Sequence, residues 1–166
     1  MKGAGRILRH LLTPQWVVNR AFPRSVLDRV ASAIHASEAM HRGEIRFAVE
    51  AGLELLPLLK GITPRARAVA VFSELRVWDT EENSGVLIYV QLVDHHIEIV
   101  ADRGISAKVR QEEWDSICLR MQDTFRTRRY EEGVIEGIRR ITALLNQHFP
   151  PGAANPDELP NEPAVL

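Results

Sequence analysis

Hydrophobic positions along this chain change period several times, and each change marks an element. Leu27, Val30, Ala31 and Ile34 recur at helical spacing. Ser25 with Asp28 three positions on resembles a capping box, and Gly43 can stop the run, so the pattern predicts a helix over 25–42. Ile45, Phe47 and Val49 then alternate with Glu44, Arg46, Ala48 and Glu50, the period of a strand with one wetter face. The segment LELLPLLKG reads as a short apolar excursion broken at Pro57 and Gly61. Thr63 and Pro64 supply the N-cap and first-turn proline of a second helix, with Ala68, Val71, Phe72, Leu75 and Trp78 on one face.

After the polar stretch DTEENSG, the run VLIYVQLV (86–93) is apolar at nearly every position, as in a strand covered on both faces. Asp94 and His95 make a short turn, and Ile97, Ile99 and Ala101 alternate with Glu98, Val100 and Asp102, which predicts an antiparallel hairpin. Two closing helices carry the stripes Trp114, Ile117, Cys118, Met121, Phe125 and Val134, Ile138, Ile141, Leu145. A helical crossover between the first two strands implies a parallel pair, and the third strand returns antiparallel. The expected fold is α/β: a three-layer α/β/α sandwich, its mixed sheet built on a central β-hairpin with helices on both faces.

With 166 residues the chain has length for one ordinary core. Six basic residues and one acid fall within 1–29, so residues 1–22 read as a basic N-terminal segment that packs its apolar side chains or lies on an anionic membrane or partner. Residues 23–149 form the expected domain. Five prolines and three acids in 150–166 predict a disordered tail. A net charge of -1 disfavours binding to nucleic acid. The first residues lack a continuous signal-peptide core, and no uncharged apolar run reaches the roughly 18 residues that a membrane span needs. The cytoplasm, with peripheral membrane contact as a variant, is the expected address.

Cys118 is the only cysteine and sits on an apolar helical face, so it reads as an inert buried thiol. The six histidines form no ligand pattern and read mostly as surface residues: His95 and His96 are adjacent, and His35 and His41 are six apart. No Gly-x-Ser-x-Gly elbow or phosphate-cradling Gly-rich loop occurs, and no organic cofactor is expected. Arg120, Arg126, Arg128, Arg129, Arg139 and Arg140 read as the outer faces of the last two helices. The hairpin supplies one geometric argument about chemistry. The loop entering its first strand and the residues leaving its second must meet at one end of the sheet, so Asp79, Glu81, Glu82 and Asn83 should lie near Asp102 and Arg103. Such oxygen ligands could hold Ca²⁺ or Mg²⁺, although Gly85 falls one position too late for an EF-hand, and turn residues with solvated acids explain the same pattern.

The segment WDTEENSGVLIYVQLVDHHIEIVADRGI resembles the signature of the TPM domain family, known from a thylakoid lumen protein, a photosystem repair factor, a nematode receptor modulator and many bacterial members. Asp79, Glu82, Asn83 and Gly85 resemble its acidic loop, Val86 to Val90 its strand, Arg103 and Gly104 its turn, and Tyr130 with Gly133 the opening of its last helix. The likeness runs over about residues 24–148 and departs from the family where Asp102 and Arg103 stand in place of a glycine and an aromatic residue. Two functions of different class are open, the first because it requires no missing chemistry and the second because the resemblance suggests it. One is a noncatalytic binding or accessory domain that recruits a protein partner, at the membrane as a variant, with any cation at the acidic loop structural. The other is a metal-dependent phosphatase, since acid phosphatase activity is attributed to plant relatives; there Asp79, Glu82 and Asp102 would hold the cation and Arg103 would offset phosphoryl charge.

Overall fold

A computed structural model describes residues 13–52, 61–152 and 156–166. The elements run α1 (Trp16–Ala21), α2 (Arg24–Glu38), β1 (Glu44–Glu50), α3 (Pro64–Glu74), β2 (Gly85–Gln91), β3 (His96–Ala101), α4 (Arg103–Ser106), α5 (Gln111–Arg126), α6 (Tyr130–His148) and β4 (Ala164–Val165). The sheet order is β3-β2-β1-β4, with β1 parallel to β2 and β4, and β2 antiparallel to β3. Residues 53–60 of the apolar excursion lie outside the described residues.

Period-two alternation splits the sheet between two cores. Ile45, Phe47, Val49, Val86, Ile88, Val90, Ile97 and Ile99 face α1, α2, α5 and α6. Ala48, Leu87, Tyr89 and Val100 face α3 and Leu159 of the tail. These are the three layers expected from sequence. All five residues of the Trp114 stripe are buried, as are Val134, Ile138, Ile141 and Leu145. Phe22 and Val18 belong to the same core, so packed residues begin ahead of position 23. Trp16, by contrast, is exposed. Arg126, Arg129, Arg139 and Arg140 pair locally with Asp123, Glu132 and Glu136, as an outer face does. No helix among the described residues is long and apolar enough to cross a membrane.

Four local expectations fail for identifiable reasons. Pro23, not Ser25, is the N-cap of α2, and Asp28 accepts instead from Arg24 Nε at 3.0 Å. The helix ends at Glu38, short of Gly43, which lets the Glu38 carboxylate reach back to the Ile45 N–H at 3.1 Å. Arg76 adopts φ 52° just past α3, which carries Val77 inward and leaves Trp78 exposed. β1 has no wet face, since all seven of its residues are buried.

That last point is tied to residues 156–166 of the tail, which pack and pair on β1 where composition predicts disorder. Glu44 Oε2 accepts from Leu159 N at 3.1 Å, and Arg46 Nη1 donates to the carbonyls of Pro160 and Glu162. Ala164 and Val165 pair with Ala48 and Val49, and Leu166 N donates to Val49 O at 3.0 Å. A proline offers no N–H, but its carbonyl can satisfy a buried guanidinium. Farther along the strand, Glu50 accepts from Arg67 Nη2 at 2.8 Å and from Tyr89 OH at 2.5 Å. Each polar side chain of β1 is thus buried with a partner, which is the condition for burying it at all. Tyr89→Phe removes a hydrogen bond to a charged group and is expected to cost about 2 kcal/mol in urea denaturation.

Candidate functional site

The hairpin brings the two polar stretches to one rim. Asp102 N donates to Gly85 O at 2.9 Å, and Gly104 N donates to Asn83 O at 3.0 Å. Asn83 sits at φ 52°, a left-handed turn that asparagine tolerates better than most residues. Thr80 braces it, accepting from Asn83 N through its carbonyl at 3.2 Å and from Ser84 N through Oγ1 at 2.8 Å. The crossing is close: a Cβ on Gly104 would stand 2.5 Å from Glu82 O and 2.7 Å from Asn83 O.

Asp102 is the N-cap of α4, with Oδ1 accepting from Arg103 N at 2.7 Å. The residue is 7% exposed, and Oδ2 is shut off from solvent with no hydrogen-bond partner among the described residues. Arg103, whose side chain is 87% exposed, donates from Nη2 to Asn83 Oδ1 at 2.8 Å and holds Nε 4.0 Å from Asp102 Oδ1. Asn83, Asp102 and Arg103 therefore come together as the hairpin argument expects.

The remaining acids of the loop are engaged differently. Glu82 pairs with Arg42 Nη1 at 2.6 Å, and Arg42 in turn donates to Pro150 O. Asp79 and Glu81 are exposed, and the Glu81 N–H is taken by Glu158 of the tail at 2.9 Å. The hydroxyls nearby are also committed: Thr80 to Ser84 N, and Ser106 to Ala101 O at 3.0 Å. Cys118 is distant in role as well as chemistry, since burial pushes its thiol up to about 12.

Sequence reasoning missed a second polar cluster, where the C-terminal turn of α2 meets the tail. His35 and Glu38 of α2 and Asp157 of the tail each offer a ligand atom, all within 4.8 Å of one another. Asn161 stands among them, its Nδ2 at 3.2 Å from Asp157 Oδ2 and 3.5 Å from His35 Nδ1. Burial raises the Glu38 carboxyl to about 8, with Glu44 and Asp157 adding like-charge repulsion against the Ile45 hydrogen bond. Burial likewise raises Glu44 to about 7 and lowers His41 to about 4. His41 is wholly buried, against the expectation of a surface residue, and its Nδ1 accepts from Gly43 N at 3.2 Å. The available signal was the i, i+3 spacing of His35 and Glu38 on one helix. Asp157 could not be added to it while the tail read as disordered.

The arrangement has relatives. A family model described as the TPM domain matches residues 19–144. The solved structure of BA42 protein from the psychrophilic bacterium Bizionia argentinensis is 30% identical, with a TM-score of 0.76, over 86% of this chain and 93% of that one. The N-terminal domain of a protein from P. gingivalis shares the fold at 21% identity and a TM-score of 0.55, over 73% of this chain and 76% of that one. No curated protein matches the chain. The family model and the BA42 likeness together cover the hairpin, its rim and the helices that flank them, and on that ground the chain belongs to the TPM domain family.

Proposed function

We propose that this chain is an accessory binding domain that takes a hard divalent cation, Ca²⁺ or Mg²⁺, at the rim formed by Asn83 and Asp102, and that presents this rim to a protein partner. The observation that carries the reading is the Asp102 carboxylate, buried with one oxygen that has no hydrogen-bond partner among the described residues. Such an atom costs free energy unless something fills its coordination, and a cation does so with an oxygen ligand of the preferred kind. Two oxygen donors stand at the rim, the Asp102 carboxylate and the Asn83 amide oxygen; Glu82 is paired with Arg42, and Asp79 and Glu81 are exposed on the same loop, so the cation would have to draw them and water in to complete its shell. Arg103 now stands where a cation would be repelled, but its side chain is largely in solvent and can swing away at little cost. Other roles follow less directly. A phosphatase needs a nucleophile or an activated water, and the Thr80 and Ser106 hydroxyls are hydrogen-bonded to backbone groups. The phosphatase reading keeps one supporting feature, the exposed Arg103 guanidinium beside the carboxylate.

The test is a thermal-shift titration with CaCl₂ and MgCl₂, run beside an assay of a generic phosphate monoester. Asn caps a helix as well as Asp, so Asp102→Asn keeps α4 while removing the charge. Saturating cation, at about 100 times its Kd, should stabilise the wild type by about 2.7 kcal/mol and leave Asp102→Asn unmoved. Arg103→Ala should bind the cation more tightly. Equal stabilisation of the wild type and Asp102→Asn, or none in either, would sink the proposal. Cation-dependent turnover abolished in Asp102→Asn would favour the phosphatase instead.

A further inference from the structure

We propose that His35, Glu38 and Asp157, with Asn161, form a second metal site, suited to Zn²⁺, that clamps the C-terminal strap onto α2. It is separate from the rim of the hairpin and does not depend on that site's cation.

The donors come from two parts of the chain and differ in freedom. His35 and Glu38 stand three positions apart on one face of α2, where a helix brings side chains together. Glu38 is 6% exposed, and the Ile45 N–H at 3.1 Å fixes one of its oxygens. His35 and Asp157 are exposed and can rotate. Ligand atoms within 4.8 Å of one another are somewhat wider than the roughly 3.4 Å between donors of a tetrahedral zinc with bonds of about 2.1 Å. Rotation of the two exposed side chains through about an ångström closes that gap.

Asn161 can complete the set. Its amino group stands 3.2 Å from Asp157 Oδ2 and 3.5 Å from His35 Nδ1, and its side chain also hydrogen-bonds Glu38, so it touches all three candidate ligands where a cation would sit. Its Oδ1 is sealed from solvent with no hydrogen-bond partner among the described residues. The two ends of an amide exchange by a half-turn, and which way it points follows from its surroundings. With a metal present the turn brings Oδ1 inward as a fourth donor and takes the amino group out of the cluster. One imidazole nitrogen with carboxylate and amide oxygens is a donor set for Zn²⁺ more than for Ca²⁺, which prefers oxygen throughout. Because Asp157 and Asn161 lie between the described end of α6 and β4, a metal here would tie the strap to the body beside Arg46 and Leu159.

The test uses the intact chain with ZnCl₂, followed by calorimetric titration and by hydrogen exchange of the Leu166 amide that pairs with Val49 O. His35→Ala and Asp157→Ala alter exposed side chains, and their melting temperatures without metal check that both fold. One Zn²⁺ per chain is expected, with affinity reduced by about tenfold or more in each variant, at least the loss that outer partners of a bound metal cause. Asp102→Asn should bind Zn²⁺ as the wild type does, even if the rim reading fails. Zinc should also slow exchange at Leu166. No binding, or binding that survives either His35→Ala or Asp157→Ala, overturns the site. Loss in Asp102→Asn instead would move the ion to the rim, and binding without slower exchange overturns the clamp.

Discussion

Gly85→Ala is expected to destabilise the protein by about 4 kcal/mol, enough to leave little folded protein if the starting stability is ordinary. A Cβ at this position would stand 1.9 Å from Val77 O and 2.9 Å from Val77 C. Both are backbone atoms, so no side-chain rotation relieves the clash. Val77 is itself fully buried, and the loop that carries it runs from Arg76 at φ 52° to Asn83 at φ 52°, two turns that already fix its path. Moving Val77 outward would pull apart the packing between α3 and β2. Moving β2 would break the Gly85 O to Asp102 N bond that closes the rim. Chemical denaturation and near-UV circular dichroism would register the loss. A variant as stable as the wild type would show that the loop can shift, and with it that the rim is not rigidly held.

The same residue explains why this part of the molecule was legible from sequence. Asn83 and Gly85 between an acidic run and an apolar strand have a narrow set of explanations, and antiparallel pairing then places Asp102 beside Gly85 without further information. Position along a hairpin is dictated by backbone geometry. Which acid turns inward is dictated by the neighbouring elements, and here the sequence was silent. Arg42, which engages Glu82, lies between α2 and β1, and nothing in its spacing ties it to a loop forty residues away. The tail was misjudged for a related reason. Prolines and acids signal disorder when considered alone, yet Leu159, Ala164 and Leu166 supply apolar anchors, and the partners that order them, Glu44 and Arg46, sit on a strand that looked half-wet. The polar residues of β1 and the ordered tail are one fact seen from two ends: neither can be buried without the other.

That mutual burial should appear as pH dependence. With a chelator present, stability is expected to fall by about 3 kcal/mol between pH 6 and pH 8, an unusual direction for a range in which most proteins change little. Glu38 and Glu44 are raised by burial to about 8 and about 7 from 4.5, so the folded state holds protons that the unfolded chain releases. Their contribution is complete below 4.5 and is lost as pH rises through 7 to 8. The groups facing them act in both senses: Asp157 and Glu158 add like charge, while the N–H groups of Ile45 and Leu159 favour the ionised forms. His41 has the opposite slope. Lowered to about 4 from 6.5, it stabilises the fold above 6.5 and loses that effect as pH falls, which offsets only a small part of the change above pH 6. Each pKa unit corresponds to about 1.4 kcal/mol, and the three groups together give the figure above. Glu38→Gln isolates the largest share, because glutamine keeps an acceptor for the Ile45 N–H and cannot ionise. Relative to the wild type, the variant should gain about 2 kcal/mol on going from pH 6 to pH 8 in urea melts. A wild type whose stability is flat over this range, or a Glu38→Gln variant that follows it in parallel, would mean that the carboxyl reaches water and that the strap does not seal the start of β1.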